Sequence, residues 1–169
     1  MKRLILIRHA KSSWDSPTLD DYDRPLNERG RIEAPAMASR IARKLNEWNA
    51  SAPHMECSSA RRAADTAECI ASAINPSPPI QWNRNLYLCE PETWLDIIHQ
   101  WPQHADYGIS VGHNPGITHT VGLLSNTTID TIPTAAFAVM EFTCTAWGEL
   151  TWGQGHLILF DTPKQHLTM

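Results

Sequence analysis

The sequence has few cysteines, and their spacing matches neither a metal site nor a disulfide framework. Cys57, Cys69, Cys89 and Cys144 lie far apart in a chain of 169 residues, and no two of them form a Cys-x-x-Cys motif. Such spacing argues against zinc binding and against structural disulfides. We therefore expect four reduced thiols that fill small apolar spaces.

The sequence also lacks a long hydrophobic run near its start. The apolar stretch at residues 4–7 is only four residues long, and Lys2, Arg3 and Arg8 flank it. It is too short for the apolar part of a signal peptide or for a membrane span. We therefore expect a cytoplasmic protein with no membrane partner. No repeat divides the chain, so we also expect one domain over residues 1–169.

Neither sign of charge dominates the sequence. Lys and Arg total 14, Asp and Glu total 18, and the formal net charge is −4. This balance gives no long-range attraction for an anion, and we expect no nucleic-acid partner. Trp48, Trp94 and Trp101 have helical spacings that suit core packing better than base stacking. Trp14 lies in a loop from which it could touch a substrate.

Basic side chains directly follow two predicted strands. The strand at residues 4–7 leads into Arg8 and His9, and the strand at residues 107–111 leads into His113 just before a predicted helix. In open α/β sheets, ligands bind outside the carboxyl ends of the strands. These two junctions therefore predict a site for an anion.

A third junction runs from a strand at residues 55–57 into a helix. Ser58 or Ser59 is the expected N-cap, and Arg62 should lie within the first turn of the helix. The free N–H groups and the dipole at a helix N-terminus favour phosphate. If the three strands are neighbours, their basic residues form one cationic pocket.

The alternation of strands and helices predicts an α/β fold with three layers, a mainly parallel mixed sheet flanked by helices. The first long helix should begin with Asn27 as its N-cap, and Pro35 should bend this helix or delay its start. The other predicted elements are a strand at 80–82, a helix at 91–101, a strand at 137–142, a strand at 150–152 after a turn at Gly148, and a strand at 157–160.

Four segments resemble the histidine phosphatase superfamily, also called phosphoglycerate mutase-like, and within it the small SixA-type phosphohistidine phosphatases. The segments are LIRHAKS at 6–12, DYDRPLNERG at 21–30, SSARRAADTA at 58–67 and VGHNPG at 111–116. Each motif alone is unspecific, whereas four in this order are specific. The resemblance implies a phosphoglycerate mutase-like fold and a phosphatase that needs no metal and no cofactor.

The resemblance also implies roles for individual residues. It places the nucleophile at His9 and the groups that bind the phosphoryl oxygens at Arg8, Arg62 and His113. Arg61 competes for the role of Arg62, but the family spacing favours Arg62. A neutral imidazole can attack phosphorus and form a phosphohistidine intermediate.

Two roles remain open for each of several other residues. Ser12 and Thr134 are expected to bind the substrate, although Thr134 could instead stabilise a turn. Asp21, Asp23 and Arg24 could line the mouth of the pocket or tie down the long polar loop at residues 10–26.

The sequence departs from the wider superfamily where a general acid is expected. Many members place a Glu two residues after a Leu here, whereas Leu86 is followed by Tyr87 and Leu88. Glu90 and Glu92 could supply the acid or could simply mark the start of the next helix. The absence of an acid suits a phosphohistidine substrate, because a phosphoramidate needs less help to depart than an alkoxide does.

The preferred hypothesis is a phosphatase that hydrolyses phosphohistidine on a protein through a covalent intermediate at His9. One alternative is a small-molecule phosphomonoesterase of the same fold. The other is a catalytically silent module that binds a phosphorylated protein. The sequence does not predict the oligomeric state.

Overall fold

A six-stranded mixed sheet forms the middle layer of the computed structural model, which describes residues 1–166. The strands are β1 Lys2–Arg8, β2 His54–Ser58, β3 Ile80–Asn83, β4 Tyr107–Gly112, β5 Phe137–Phe142 and β6 His156–Asp161, and the helices are α1 Glu28–Glu47, α2 Arg61–Ala73, α3 Pro91–His99 and α4 Gly116–Ser125. The strand order is β3-β2-β4-β1-β5-β6. Strands β1 to β4 pair in parallel, whereas β5 is antiparallel to both β1 and β6. The predicted mainly parallel mixed sheet is confirmed.

The alternating side chains of β1 show how the three layers are held together. Ile5 and Ile7 pack with α1 and α2 on one face of the sheet. Leu4 and Leu6 pack with α3 and α4 on the other face. All four side chains are at most 1% exposed, and burying each one stabilises the fold by roughly 2 kcal/mol. The strand is apolar on both faces because both faces are covered.

Helix α1 begins where the sequence predicts. The Asn27 side chain accepts the N–H of Gly30 at 2.9 Å, so the predicted N-cap is confirmed. The expected delay at Pro35 is wrong, because the helix runs from Glu28 to Glu47 with Pro35 inside it. Its apolar side, which includes Met37 and Ile41, is buried in the core. We attribute the continuity of the helix to this packing, which offsets the lost hydrogen bond.

The predicted N-cap of α2 is wrong. The capping position is Ala60, which has no side-chain capping bond. Ser58 ends β2 instead, and its hydroxyl lies 2.8 Å from Nε2 of His113 and accepts the N–H of Ala60 at 3.3 Å. The serine hydroxyl therefore joins two of the predicted junctions rather than capping a helix.

The predicted strand at residues 150–152 is also wrong. A short 3₁₀ turn at Trp147–Glu149 precedes Leu150, whose side chain is fully buried. The main-chain oxygen of Leu150 lies 2.7 Å from Nε2 of His99, at the end of α3, and not in a strand ladder. The Leu150 side chain that suggested a strand is apolar because it is buried against α3. The predicted strands at residues 137–142 and 157–160 are confirmed as β5 and most of β6.

All four cysteines are free, as predicted. Cys57 is fully buried in β2, and this burial raises the pKa of its thiol to about 12. Cys89 is half-buried, and burial raises the pKa of its thiol to about 11. Both side chains are therefore protonated near neutral pH and behave as small apolar groups.

Candidate active site

The carboxyl ends of β2, β4 and β1 meet at one edge of the sheet, because these three parallel strands are neighbours. A cleft of about 360 Å³ opens at this edge. Its lining residues are Arg8, His9, Lys11, Ser12, Trp14, Asp21, Arg24, Arg62, Leu88, His113, Asn114 and Thr134. The structure thus brings together Arg8, His9, Arg62 and His113, which come from three separate junctions.

The hydrogen bonds of His9 indicate which ring nitrogen carries the proton. Nδ1 lies 2.7 Å from the main-chain oxygen of Ala10, which can only accept a hydrogen bond. Nδ1 is therefore the protonated nitrogen, and Nε2 carries the lone pair. The ring is 8% exposed. Burial is the main cause that lowers the pKa of His9 to about 3, and the charges of Arg62, Arg8 and Arg24 lower it further. His9 is thus neutral near neutral pH.

Arg62 lies at the start of α2 and points its guanidinium at His9. Its side chain is only 3% exposed, and Nε donates to Nε2 of His9 at 3.3 Å. The adjacent Arg61 points away from the cleft, is 61% exposed and pairs with Asp65 on its own helix. The position predicted for Arg62 inside the pocket, and for Arg61 outside it, agrees with the structure.

A relay of hydrogen bonds holds α2 against the end of β1. The N–H of Ala10 donates to Oγ1 of Thr66 at 3.0 Å, and the same hydroxyl donates to the carbonyl of Arg62 at 2.8 Å. Thr66 is buried. The distance between His9 and Arg62 is therefore set by the bonds of the Thr66 hydroxyl to the main chain and not by the two side chains alone.

His113 packs beside His9, with ring centroids 5.1 Å apart. Burial is the main cause that lowers the pKa of His113 to about 2, and repulsion from His9 in its protonated form and from Arg62 lowers it further. Since the Ser58 hydroxyl already accepts the Ala60 N–H, its own proton is available for Nε2 of His113. This favours a proton on Nδ1 of His113, a buried atom with no hydrogen-bond partner within the described residues.

Arg8 has a second buried atom of this kind. Nη1 of Arg8 donates to the carbonyl of Ile132 at 2.9 Å, whereas Nε is buried and has no partner in the described part of the chain. Buried N–H groups without partners are rare in folded proteins. Arg8 and His113 therefore both offer a buried donor on side chains that line the cleft.

Asp21 supplies the one carboxylate among the cleft-lining residues. Burial opposes its ionisation, but hydrogen bonds from Tyr87 and Arg24 and the charge of Arg62 outweigh burial and lower the pKa of Asp21 to about 2. The cleft therefore combines three arginines and one lysine with a single ionised carboxylate. It is cationic even though the chain carries a net negative charge.

The structure distinguishes the residues whose roles the sequence left open. Asp21 and Arg24 both line the cleft and tie down the loop, since Arg24 donates to Asp21 at 3.0 Å and to Ser12 at 2.6 Å. Asp23 is exposed and lies outside the cleft lining. Trp14 is 72% exposed and covers the Arg24 guanidinium, whose central carbon lies 3.5 Å from the ring centroid.

Thr134 reaches the cleft through a turn that is fixed to the end of β1. The N–H of Ala135 donates to the carbonyls of Arg8 and His9 at 3.1 and 3.2 Å. Thr134 is 9% exposed and lines the cleft with Ser12. Both residues predicted to bind the substrate therefore lie where they can contact it.

The candidate acids Glu90 and Glu92 do not line the cleft. Glu90 is the N-cap of α3 and Glu92 lies in its first turn, and both are exposed. This placement favours the helix-start interpretation. Leu88 occupies the position next to the cleft, is 50% exposed, and has a positive φ of 50°.

His113 lies in the cleft, whereas His119, six residues later, does not. His119 is exposed on α4. Across residues 1–166, no three His, Cys, Asp or Glu side chains are grouped so that they could hold a metal ion.

A profile of the histidine phosphatase superfamily (branch 1) matches residues 4–103. The chain belongs to this superfamily. The resemblance found in the sequence is therefore confirmed, and the matched segment includes Arg8, His9 and Arg62.

Solved structures extend the similarity beyond the matched segment. A protein from Agrobacterium tumefaciens, assigned as the phosphohistidine phosphatase SixA, is 27% identical, with a TM-score of 0.80 over 96% of this chain and 98% of that chain. The protein histidine phosphatase SixA complexed with tungstate is 19% identical, with a TM-score of 0.77 over 95% of this chain and 97% of that chain. These matches confirm the phosphoglycerate mutase-like fold and, with the family, support a phosphatase.

Two further matches are more limited. A phosphoserine phosphatase from Entamoeba histolytica is 16% identical, with a TM-score of 0.69 over 99% of this chain and 100% of that chain, and shares the fold alone. An uncharacterized chloroplastic protein of Arabidopsis thaliana is 49% identical over 41 residues. That match covers 24% of this chain and 19% of the plant protein.

Sequence reasoning missed the part that Tyr87 plays in this member of the superfamily. Its hydroxyl donates to Asp21 at 2.5 Å, and its ring meets the His113 ring edge-on at a centroid distance of 5.3 Å. The sequence marks Tyr87 only as the residue after Leu86, in the segment where the wider superfamily places an acid. No periodic pattern relates it to Asp21, which lies 66 residues away.

The two buried histidines predict that the protein loses stability in acid. An unfolded histidine has a pKa near 6.5, whereas His9 and His113 have values of about 3 and about 2 in the fold. Between these values the unfolded chain binds protons that the folded chain does not. The free energy of unfolding should therefore fall as the pH drops from about 6.5 towards 3, by up to about 1.4 kcal/mol per pH unit for each histidine.

Urea denaturation at a series of pH values between 7 and 4 checks this expectation. His9→Asn should make the loss of stability with falling pH shallower than in the wild type. An unchanged pH dependence in this variant would show that His9 titrates normally in the folded protein.

Proposed function

We propose that the chain is a phosphatase that hydrolyses phosphohistidine on a protein through a covalent intermediate at His9. The observation that carries the proposal is the state of His9. Its Nδ1 proton is held by Ala10, so Nε2 presents a lone pair inside a cleft lined by Arg8, Arg62 and His113. A neutral imidazole beside two arginines and the N–H of a second imidazole is suited to attack a phosphoryl group.

The reaction then has two displacements. In the first, Nε2 of His9 attacks phosphorus, the P–N bond of the substrate breaks, and the substrate imidazole leaves with a proton from solvent. In the second, water attacks the phosphoryl group on His9, the new P–N bond breaks, and inorganic phosphate departs with neutral His9 restored. Both steps move the same phosphoryl group, so the same donors serve twice.

The buried donors of Arg8 and His113 support phosphoryl binding. Nε of Arg8 and Nδ1 of His113 have no partners within residues 1–166, and a phosphoryl oxygen could accept from either. Arg62 contributes the donor closest to His9, with Nε at 3.3 Å from Nε2. Donors positioned before the substrate binds stabilise the transition state without reorganisation.

The absence of a protonated carboxyl group among the cleft-lining residues supports phosphohistidine as the substrate. Asp21 is the carboxylate in the cleft, and its pKa of about 2 means that it is ionised at neutral pH. Leu88 is apolar, and Glu90 and Glu92 lie outside the cleft. An alkoxide leaving group needs a proton in the transition state, whereas an imidazole leaves with less help.

A protein is the proposed carrier of the phosphohistidine. The resemblance to SixA-type enzymes and the exposed Trp14 beside the cleft support a macromolecular partner. A cytoplasmic location stays a prediction. Among the described residues, no helix has both the length and the apolar character needed to cross a bilayer.

The first prediction for activity is that His9→Ala abolishes turnover, because the phosphoryl group then has no acceptor. Rapid quenching of the wild-type protein with labelled substrate should trap a phosphoenzyme that is labile to acid and stable to base. His119→Ala serves as the matched control, since His119 is exposed outside the cleft, and should keep full activity. Turnover by His9→Ala would favour a different nucleophile, and no turnover by the wild type would favour a silent binding module.

The second prediction uses two adjacent arginines. Arg62→Ala should lower kcat/KM by about 100-fold or more, because a preorganised cationic donor to the transition state is lost. Arg61→Ala removes the same side chain one residue earlier, outside the cleft, and should leave kcat/KM nearly unchanged. Steady-state kinetics on both variants test the assignment. The reverse pattern would mean that α2 presents the other arginine to the substrate.

The third prediction concerns the leaving group. The ratio of kcat/KM for a phosphohistidine protein to kcat/KM for an alkyl phosphate monoester should be far above one. Glu90→Gln and Glu92→Gln should leave both rates unchanged, because neither side chain lines the cleft. A ratio near one, with selective loss of alkyl ester turnover in either variant, would show that a general acid is present and would favour the small-molecule phosphatases.

A further inference from the structure

Asp21 lies between two buried arginines, Arg24 in the loop at residues 10–26 and Arg62 in α2. It begins a short 3₁₀ turn, Asp21–Asp23, in the loop that follows His9. Its Oδ1 accepts from Nε and Nη2 of Arg24 at 3.1 and 3.0 Å. Its Oδ2 accepts from Nη2 of Arg62 at 2.9 Å and from the Tyr87 hydroxyl at 2.5 Å. Asp21 therefore receives four hydrogen bonds from three side chains.

The contacts of Arg62 divide its guanidinium into two sides. Nη1 donates to the main-chain oxygen of Asp21 at 2.6 Å, and Nη2 donates to the carboxylate of the same residue. Nε, in contrast, donates to Nε2 of His9. A guanidinium is planar and rigid, so fixing its two terminal nitrogens also fixes the direction of Nε. Asp21 thus holds the two terminal nitrogens of Arg62, while Nε faces His9.

Asp21 is itself held in place by residues on other elements. The Tyr87 ring packs edge-on against both Tyr22 and His113, at centroid distances of 5.0 and 5.3 Å, which orients the hydroxyl that bonds Asp21. Arg24 also donates to the Ser12 hydroxyl and to the main-chain oxygen of Ser13, so it links Asp21 to the loop next to His9. The carboxylate therefore joins the loop, α2 and the segment after β3.

We propose that Asp21 is a positioning residue that aims Arg62 at the phosphoryl group on His9. This inference rests on the proposed role of Arg62 and adds a residue to which sequence reasoning gave no catalytic role. It differs from a second arrangement, in which Asp21 competes with the substrate for Arg62 and so inhibits the enzyme. The two arrangements predict opposite effects when the charge of Asp21 is removed.

The test is a double-mutant cycle between Asp21→Asn and Arg62→Ala, measured on the full-length protein with a phosphohistidine protein as the substrate. Asp21→Asn should lower kcat by about 10- to 100-fold, as small misplacements of a catalytic group do. In the Arg62→Ala background the same change should alter kcat by no more than about twofold, because there is no longer an arginine to position. Asp23→Asn, in the same turn but exposed, is the matched control and should leave kcat unchanged.

Tungstate inhibition provides a readout of binding without turnover. If Asp21 positions Arg62, Asp21→Asn should weaken inhibition by tungstate. If Asp21 competes with the oxyanion, the same variant should bind tungstate more tightly and turn over at least as fast as the wild type, which would overturn the proposal. A loss of kcat of equal size with and without Arg62 would also overturn it, since the effect would then be general damage to the cleft.

Tyr87→Phe tests the proposal independently of the folding of Asp21→Asn. It removes the hydroxyl that bonds Asp21 and keeps the ring that packs on Tyr22 and His113. Its loss of kcat should be smaller than that of Asp21→Asn, should be absent in the Arg62→Ala background, and should not add to the loss in Asp21→Asn. Wild-type kcat in Tyr87→Phe would contradict the proposal. If Arg62→Ala itself kept full activity, the proposed function of Arg62 would fail first, so the two failures are distinguishable.

Discussion

The parallel pairing of β1 with β4 is the constraint on which the cleft depends. In this register Arg8 lies opposite Gly112, and the N–H of His9 donates to the Gly112 carbonyl at 3.0 Å. Each strand therefore ends at the same level, and the next residues, His9 and His113, face each other at the sheet edge. Neighbouring β2 adds α2 and its first turn to the same edge. A slip of one residue in this pairing would break the bond from the His9 N–H to the Gly112 carbonyl and would exchange the buried side chains that β1 packs on its two faces, so the close packing of the core also maintains the geometry of the cleft.

Burial and positive charge act together on the two histidines. A protonated imidazole could not attack phosphorus, and the same arginines that would bind a phosphoryl group also disfavour protonation of His9. Asp21 moderates this charge and anchors two of the arginines. The cleft is thus cationic enough for an oxyanion, while His9 remains neutral at physiological pH.

Much of this arrangement could be predicted from local sequence. Apolar runs followed by Arg8, His9 and His113 identify strand ends. Asn27 marks a helix start because its side chain accepts a hydrogen bond from a residue only three positions later in the chain. The contacts that could not be predicted join residues far apart in the chain. Ser58 looks like a helix cap, yet its hydroxyl meets His113, 55 residues away. Leu150 is apolar because it is buried beside α3, and the sequence pattern alone cannot distinguish such a residue from part of a strand. The hydrogen bond between Tyr87 and Asp21 depends on how a long loop folds back over α2.

The central claim is that Nε2 of His9 accepts the phosphoryl group. It can be tested most directly by NMR on protein with ¹⁵N-labelled histidine, phosphorylated by substrate under conditions that slow hydrolysis. The account predicts a ³¹P resonance coupled to Nε2 of His9, with the Nδ1 proton still bonded to the Ala10 carbonyl. A phosphoryl group on Nδ1, or on any residue other than His9, would contradict the account.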